Sequence, residues 1–295
     1  MNSPTERLKS APARRSRGPR FWWRVLFRVL SESDKRNLSL IAAGVAFYAL
    51  LSLFPALAAL IALWGYFADP AVLQGQLDMA EQLLPSDAFA ILGDQVARLV
   101  AANSSTLQLT SLISILVALW TARSGVAALI RGLNSIYGEP HRANPIKRYV
   151  VAIALTCSLI VVHIVALLSI VLLPPLLAYL AVPGPVETMI SAAKWVAVFM
   201  VVFFGISLLY RYGPNRGKSK TPWVTAGAVI AMIVWTTGSA AFSVFLQNFG
   251  NFNEVYGSLG AVVALLFWLY LSAYVVLLGA QLNAVLHDQK HEPGN

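Results

Sequence analysis

Residues 259–286 read LGAVVALLFWLYLSAYVVLLGAQLNAVL, a stretch without a single charged side chain. A helix needs about 20 apolar residues to cross a hydrocarbon core roughly 30 Å thick. This stretch exceeds that length, and five more of the same character precede it, at residues 38–67, 107–130, 149–180, 189–210 and 223–246. Inside lipid, backbone polar groups must find partners within their own segment, so such runs are helices rather than open strands. The sequence predicts an all-α, polytopic membrane protein with six transmembrane helices. Pro174-Pro175 predicts a break near the outer end of the third.

Composition agrees. Of 295 residues, 58% are hydrophobic and 12% charged, where a soluble domain carries about 25% charged residues. That excludes a disordered chain, a coiled coil and an ordinary cytosolic enzyme. One cysteine permits neither an intrachain disulfide nor a Cys-based zinc site. Neither a metal nor a cofactor is expected.

The net charge of +9 is unevenly placed. Nineteen of the 22 Lys and Arg fall in residues 1–37, in the segments after the second and fourth runs, or in the tail. The opposite segments hold Arg98 together with Asp69, Asp78, Glu81, Asp87, Asp94, Glu187 and Glu254. By the positive-inside rule both termini are expected in the cytoplasm. The positive charge is then a topology signal, and no nucleic-acid partner is needed to explain it. Three parts follow: a basic cytoplasmic segment at 1–37, a six-helix membrane domain at 38–288 and a short cytoplasmic tail at 289–295.

The amino-terminal segment is too basic, and its first apolar run too long, for a cleavable signal. Within RFWWRVLFRVL, Arg20, Arg24 and Arg28 recur four apart beside an apolar row of Phe21, Val25 and Val29. This predicts an interfacial helix on a membrane surface, with anionic lipid headgroups of the cytoplasmic leaflet as its partners. On the other side, Leu73, Leu77, Ala80 and Leu84, then Phe89, Leu92, Val96 and Leu99, predict two short amphipathic helices in the first external loop.

Polar side chains at bilayer depth usually point inward. Arg123, Ala127 and Asn134 share a face of the second span, and Thr225, Thr236, Ala240, Ser243 and Gln247 one of the fifth. In the sixth, Tyr270, Tyr274 and Gln281 form one stripe and Ser272, Gly279 and Asn283 another; Gly44, Tyr48, Ser52 and Pro55 align in the first. Each stripe alone suits helix packing, since small and hydroxylated residues make close interhelical contacts. Together they suggest a polar-lined internal volume, with Arg123, Asn134, Thr236, Ser243, Gln247, Tyr270, Tyr274 and Gln281 as candidate lining residues. Glu139 is a candidate acidic partner for Arg123. Lys194 reads as a snorkelling residue and His163 as a neutral, hydrogen-bonded one. The loop QNFGNFNEVYGSLG carries Asn248, Asn251, Asn253, Glu254 and Tyr256, a second candidate cluster on the external side.

Four separated pieces resemble one family, the YihY/BrkB proteins of bacterial inner membranes. They are AFYALLSLFP in the first span, ARSGVAALIRGLNSIYGE at 122–139, LLYRYGPN at 208–215, and the stretch NFGNFNEVYGSLGAVVALLFWLYLSAYVVLLGAQLNAVL from Asn248. The resemblance implies a six-span plasma-membrane protein. It links the chain with virulence-associated resistance and envelope-lipid export, without a defined substrate or oligomeric state. Gln281 departs from it, because many relatives carry Glu there, and a mechanism needing a carboxylate at this point is undercut. An older family label is ribonuclease BN. No H-x-H-x-D-H pattern, Walker A loop, dinucleotide fingerprint or G-x-S-x-G elbow is present, and His287 with His291 lacks a third ligand. The expected function is transport of a lipid or small molecule without ATP hydrolysis; a noncatalytic envelope scaffold is the alternative.

Overall fold

A computed structural model describes residues 18–67, 104–171, 184–216, 221–248 and 258–291. These residues form seven helices and no strand: α1 (Pro19–Lys35), α2 (Leu38–Phe67), α3 (Ser104–Tyr137), α4 (Pro145–Val171), α5 (Gly184–Tyr212), α6 (Ala226–Asn248) and α7 (Ser258–His291). Six of them, α2 to α7, are long and apolar enough to cross a membrane. The paired helices expected in the first long loop, the Pro174-Pro175 break and the cluster Asn251, Asn253, Glu254 and Tyr256 lie outside the described residues.

The observed ends correct several expected ones. The second span runs on to Tyr137, which places Arg131 in the helix rather than in a loop. Gly138 ends it, adopting a left-handed φ of 65°. Glu139 N then donates to the Asn134 carbonyl (2.9 Å) and Gly138 N to that of Ser135 (3.3 Å), a Schellman closure. The fifth span starts at Ala226, so Thr225 is not on its polar face but before it, where its hydroxyl accepts from Ala228 N as a cap (3.1 Å). Likewise Asn144 Oδ1 caps α4 by accepting from Ile146 N and Lys147 N, with Pro145 at the first helical position. At the other end of the chain, α7 runs on to His291, into the segment expected as a tail from 289.

Consecutive spans pack side by side, α7 closes on α2, and α3 also reaches α7. The six spans thus form a closed ring in chain order. An even number of spans puts both chain ends, and the basic connecting segments, at one end of the ring. The main core occupies the same end. It joins Leu38, Ala42 and Val45 of α2, Leu133 and Ile136 of α3, Ile206, Leu209 and Tyr210 of α5, Ala228 of α6, and Ala273, Leu277 and Ala284 of α7. Toward the far end, Ser243, Val244, Phe245 and Leu246 of α6 are exposed at successive positions, hence on every side of the helix.

The α6–α7 seam explains the second stripe of the last span. Gly227 and Gly279 meet backbone to backbone, so closely that a Cβ on Gly227 would overlap the Gly279 carbonyl oxygen. Farther along, Trp235 Nε1 donates to Ser272 Oγ (2.9 Å) and Trp268 Nε1 to Ser239 Oγ (3.3 Å). Ser272, Gly279 and Asn283 therefore face α6.

Helix α1 also differs from expectation in what it buries. The row Phe21, Val25 and Val29 packs against Leu278, Leu282, Val285 and Leu286 of α7 rather than entering lipid. Trp22, Trp23, Leu26, Phe27 and Leu30 form a second, exposed apolar face, while Arg20 and Arg24 remain on an exposed polar side. The helix is a wedge with one apolar face on the bundle, one apolar face exposed and one polar side exposed. Asn37, in the left-handed region at φ 53°, makes the turn into α2.

Gly227→Ala should destabilise the protein by about 1–3 kcal/mol through overpacking. Gly44→Ala, where a Cβ meets nothing within 4 Å, should be neutral or stabilising. Thermal unfolding in detergent distinguishes them; equal melting temperatures for the two variants would contradict the packed seam.

Candidate functional site

At the basic end several helix termini converge, and each needs partners for backbone groups that its own turns leave unpaired. Arg36, just past α1, donates to the carbonyls of Ser135 and Ile136 (2.8 Å to the latter) at the carboxyl end of α3. Glu32 holds the same guanidinium at 3.6 Å and lies 2.9 Å from Lys35. The hydrogen bond from Lys35 chiefly draws the Glu32 carboxyl below its usual range, against a smaller opposing effect of burial. Arg142 closes the end of α5 by donating to the carbonyls of Tyr212 (3.1 Å), Gly213 (3.0 Å) and Pro214 (3.3 Å). Burial lowers its pKa from the usual arginine value. Both cations sit at the negative ends of helix dipoles, where positive charge is stabilising.

Two asparagines bind the termini to one another. Asn134, buried on α3, accepts from Asn215 N through Oδ1 (2.8 Å) and lies 3.5 Å from His141 Nδ1 through Nδ2. Asn215 Nδ2 in turn donates to the Pro140 carbonyl (3.1 Å). Asn283 of α7 serves the start of α6, accepting from Gly227 N (2.8 Å) and donating to Thr225 Oγ1 (2.9 Å). Tyr210, fully buried on α5, donates its hydroxyl to the Val276 carbonyl of α7 (2.6 Å). Around them, Arg216 donates to Thr221 Oγ1 (3.3 Å), approaches Glu139 (4.0 Å) and lies over the Tyr137 ring (4.6 Å). A shallow cleft of about 150 Å³ opens between Arg36, Tyr137, Arg216, Ala284, His287 and Asp288.

The expected lining residues divide accordingly. Asn134 and Gln281 are buried, Gln281 with no partner for its Oε1 among the described residues. Tyr270 and Tyr274 stack, centroids 5.9 Å apart, at the edge of the main core. Thr236 returns its hydroxyl to the Met232 carbonyl (2.9 Å), as Ser52, Thr121 and Thr156 do to carbonyls of their own helices. Ser243 is exposed. Arg123 lies over Trp120 and Tyr149 at the α3–α4 seam, and it is Arg216, not Arg123, that approaches Glu139. Asn134 shares its helical face but is buried because the segments after α3 and α5 fold over that end. Gln247 and Asn248 close α6 by backbone, while their side chains, like that of Lys194, lie outside the description. His163 is exposed, its Nδ1 2.8 Å from the Leu159 carbonyl, which suits a neutral ring donating to its own helix.

Sequence reasoning missed Arg36, Arg142, Tyr210 and Asn215 as a group. Each stands within a few residues of a span's basic-end terminus, and Tyr210 and Asn215 also fall within LLYRYGPN at 208–215.

Of these converging residues, Asn134, Tyr210, Asn215 and Asn283 lie in the stretches 122–139, 208–215 and the end of the last helix. The model of the family described as virulence factor BrkB matches residues 29–295. The chain belongs to this family. It is 32% identical over 260 residues to the ribonuclease-like protein YfkH of Bacillus subtilis, an alignment covering 85% of this chain and 91% of that one. A UPF0761 membrane protein of Histophilus somni is 37% identical over 92 residues, 31% of this chain and 32% of its own. A UPF0761 membrane protein of Idiomarina loihiensis is 32% identical over 106 residues, 35% of this chain and 37% of its own. No solved structure matches. The BrkB protein described here is a multi-pass protein of the bacterial inner membrane. Among its described residues no group of three or more His, Cys, Asp or Glu is placed to hold a metal ion.

Asn134→Leu should leave the Asn215 amide without its buried acceptor and cost about 1–3 kcal/mol. Thr236→Val, which removes only a bond within one helix, should stay within about 0.5 kcal/mol. Thermal unfolding in detergent measures both, and an Asn134 variant as stable as the parent would refute the role assigned to that amide.

Proposed function

We propose that this BrkB protein is a transport component of the inner membrane, not an enzyme, that moves an anionic or amphipathic substrate such as an envelope lipid. Both chain ends lie in the cytoplasm, as the placement of Lys and Arg indicates. The ring is sealed at that end by the Arg36, Arg142, Asn134 and Asn283 contacts, and substrate enters between the far halves of the spans. The observation that carries this reading is the asymmetry of the ring: a buried core at the basic end against all-round exposure of α6 at 243–246. Gln281, buried with no partner for its carbonyl oxygen among the described residues, supports this reading as the candidate polar group on the path. Asn134, Tyr270 and Tyr274 are further candidates, and Thr236 and Ser243 lie along α6. With no nucleotide-binding loop in the sequence, the driving force is a gradient or a partner.

One observation favours a noncatalytic scaffold instead. Thr121, Thr156 and Thr236 spend their hydroxyls on their own helices and offer little to a substrate.

Cysteine accessibility separates the two. The native Cys157 is exposed and must first be replaced by serine. In that background Ser243→Cys should react with a membrane-impermeant maleimide applied to spheroplasts, and Gln281→Cys should be protected. Labelling of Ser243→Cys by membrane-permeant reagents alone would place it against acyl chains and favour the scaffold. Gln281→Leu supplies a second check: a folded variant with impaired lipid redistribution in reconstituted vesicles supports transport, and unimpaired redistribution removes Gln281 from the path.

A further inference from the structure

Arg123 stands apart from the sealed end, midway along α3. Its guanidinium carbon lies 5.0 Å from the centre of the Trp120 ring and 4.5 Å from that of Tyr149, and the two rings are 6.4 Å apart. Both rings are on the outside of the bundle, Trp120 58% and Tyr149 39% exposed. Alongside, the α3–α4 seam is closed by Val126, Ala127 and Ile130 with Val151, Ala152 and Leu155. The cation therefore faces the lipid side of the ring.

Its charge is poorly answered by the protein. Among the described residues its hydrogen-bond partner is the Ser124 hydroxyl at 3.3 Å, no carboxylate lies within ion-pair distance, and its Nε is buried without an acceptor. A guanidinium stays charged under all ordinary conditions and carries five donors. Leaving it unneutralised at a lipid-facing seam is costly, and the two cation–π contacts offset only part of that cost.

The contact with Tyr149 sets the depth. Tyr149 is the fifth residue of α4, about 6 Å along that helix from Pro145 at about 1.5 Å per residue. A residue from the middle of α3 is thereby held beside the first turns of α4, where a span meets the headgroups. Trp and Tyr are the side chains favoured at this level. Lys147 and Arg148 are exposed in the same turns. Away from that end, Leu116 and Ile113 continue the exposed apolar face of α3 from Trp120.

We propose that the α3–α4 seam is a binding site for an anionic phospholipid of the leaflet at the basic end. The phosphodiester takes the planar fork of Arg123, whose geometry matches two phosphate oxygens. Lys147 and Arg148 flank the headgroup, and an acyl chain runs over Trp120, Leu116 and Ile113. The site is on the outer surface of the ring and stands whether or not the ring transports.

Native mass spectrometry of the delipidated full chain in detergent tests it, with phosphatidylglycerol and phosphatidylcholine of identical acyl chains as probes. Phosphatidylglycerol should be retained about tenfold better than phosphatidylcholine, and Arg123→Gln should abolish the difference while Arg123→Lys keeps part of it. Equal retention of both lipids by the parent, or undiminished preference in Arg123→Gln, would overturn the proposal. Millimolar inorganic phosphate should not displace the bound lipid; displacement would assign the site to free anions and overturn it as well. Should Arg123→Gln fail to fold, Tyr149→Leu keeps the charge and removes one ring. It should lower retention about threefold, and unchanged retention would count against the site.

Discussion

Helix ends are the weak points of a membrane ring, because their last carbonyls and first amides have no partners within the helix and little water to turn to. In this protein the converging ends are satisfied across the ring. Arg36 from the α1–α2 turn closes α3, Arg142 from the α3–α4 loop closes α5, and Asn283 from α7 opens α6. Each bond joins a terminus to a side chain from another part of the chain, so the ends are fixed only when the ring is assembled. The close approach of Gly227 and Gly279 follows from the same arrangement, since Asn283 reaches the Gly227 amide only if the two backbones meet.

The positive charge consequently has two roles. Concentrated at one end, Lys and Arg are the expected orienting signal of the positive-inside rule. Two of the same arginines also neutralise the carboxyl ends of spans that stop there, where the helix dipole is negative. Helix α1 adds a third element to this end, packing Val25 and Val29 on α7 while leaving Trp22 and Trp23 exposed. Packing of α1 and capping of α3 and α5 thus meet at one end of the ring, where the stretches 122–139 and 208–215 also end.

The spans were legible in the sequence because a long uncharged run permits little else than a helix in lipid. Their ends were less so. Arg131 looked like a loop residue because charge usually marks the edge of a span, yet α3 continues past it to a Gly138 closure. Thr225 looked like part of a polar stripe because periodicity cannot distinguish a cap from a first turn. Asn134 and Gln281 are buried, whereas Arg123, on the same helical face as Asn134, is at the outer seam. A helical wheel gives direction from one axis and carries no information about what covers each height of that axis. The first apolar row of α1 was misread for a related reason: one helix presented two apolar faces, and only packing on α7 tells which meets protein.

The most direct measurement of the sealed end is hydrogen–deuterium exchange of two amides whose acceptors are side chains of other segments, Asn215 N and Gly227 N. In detergent-solubilised protein both should exchange slowly. Asn134→Ala should accelerate Asn215 alone, and Asn283→Ala should accelerate Gly227 alone, each by about tenfold or more. Rapid exchange of both amides in the parent protein would contradict a ring locked at this end by side chains reaching across it.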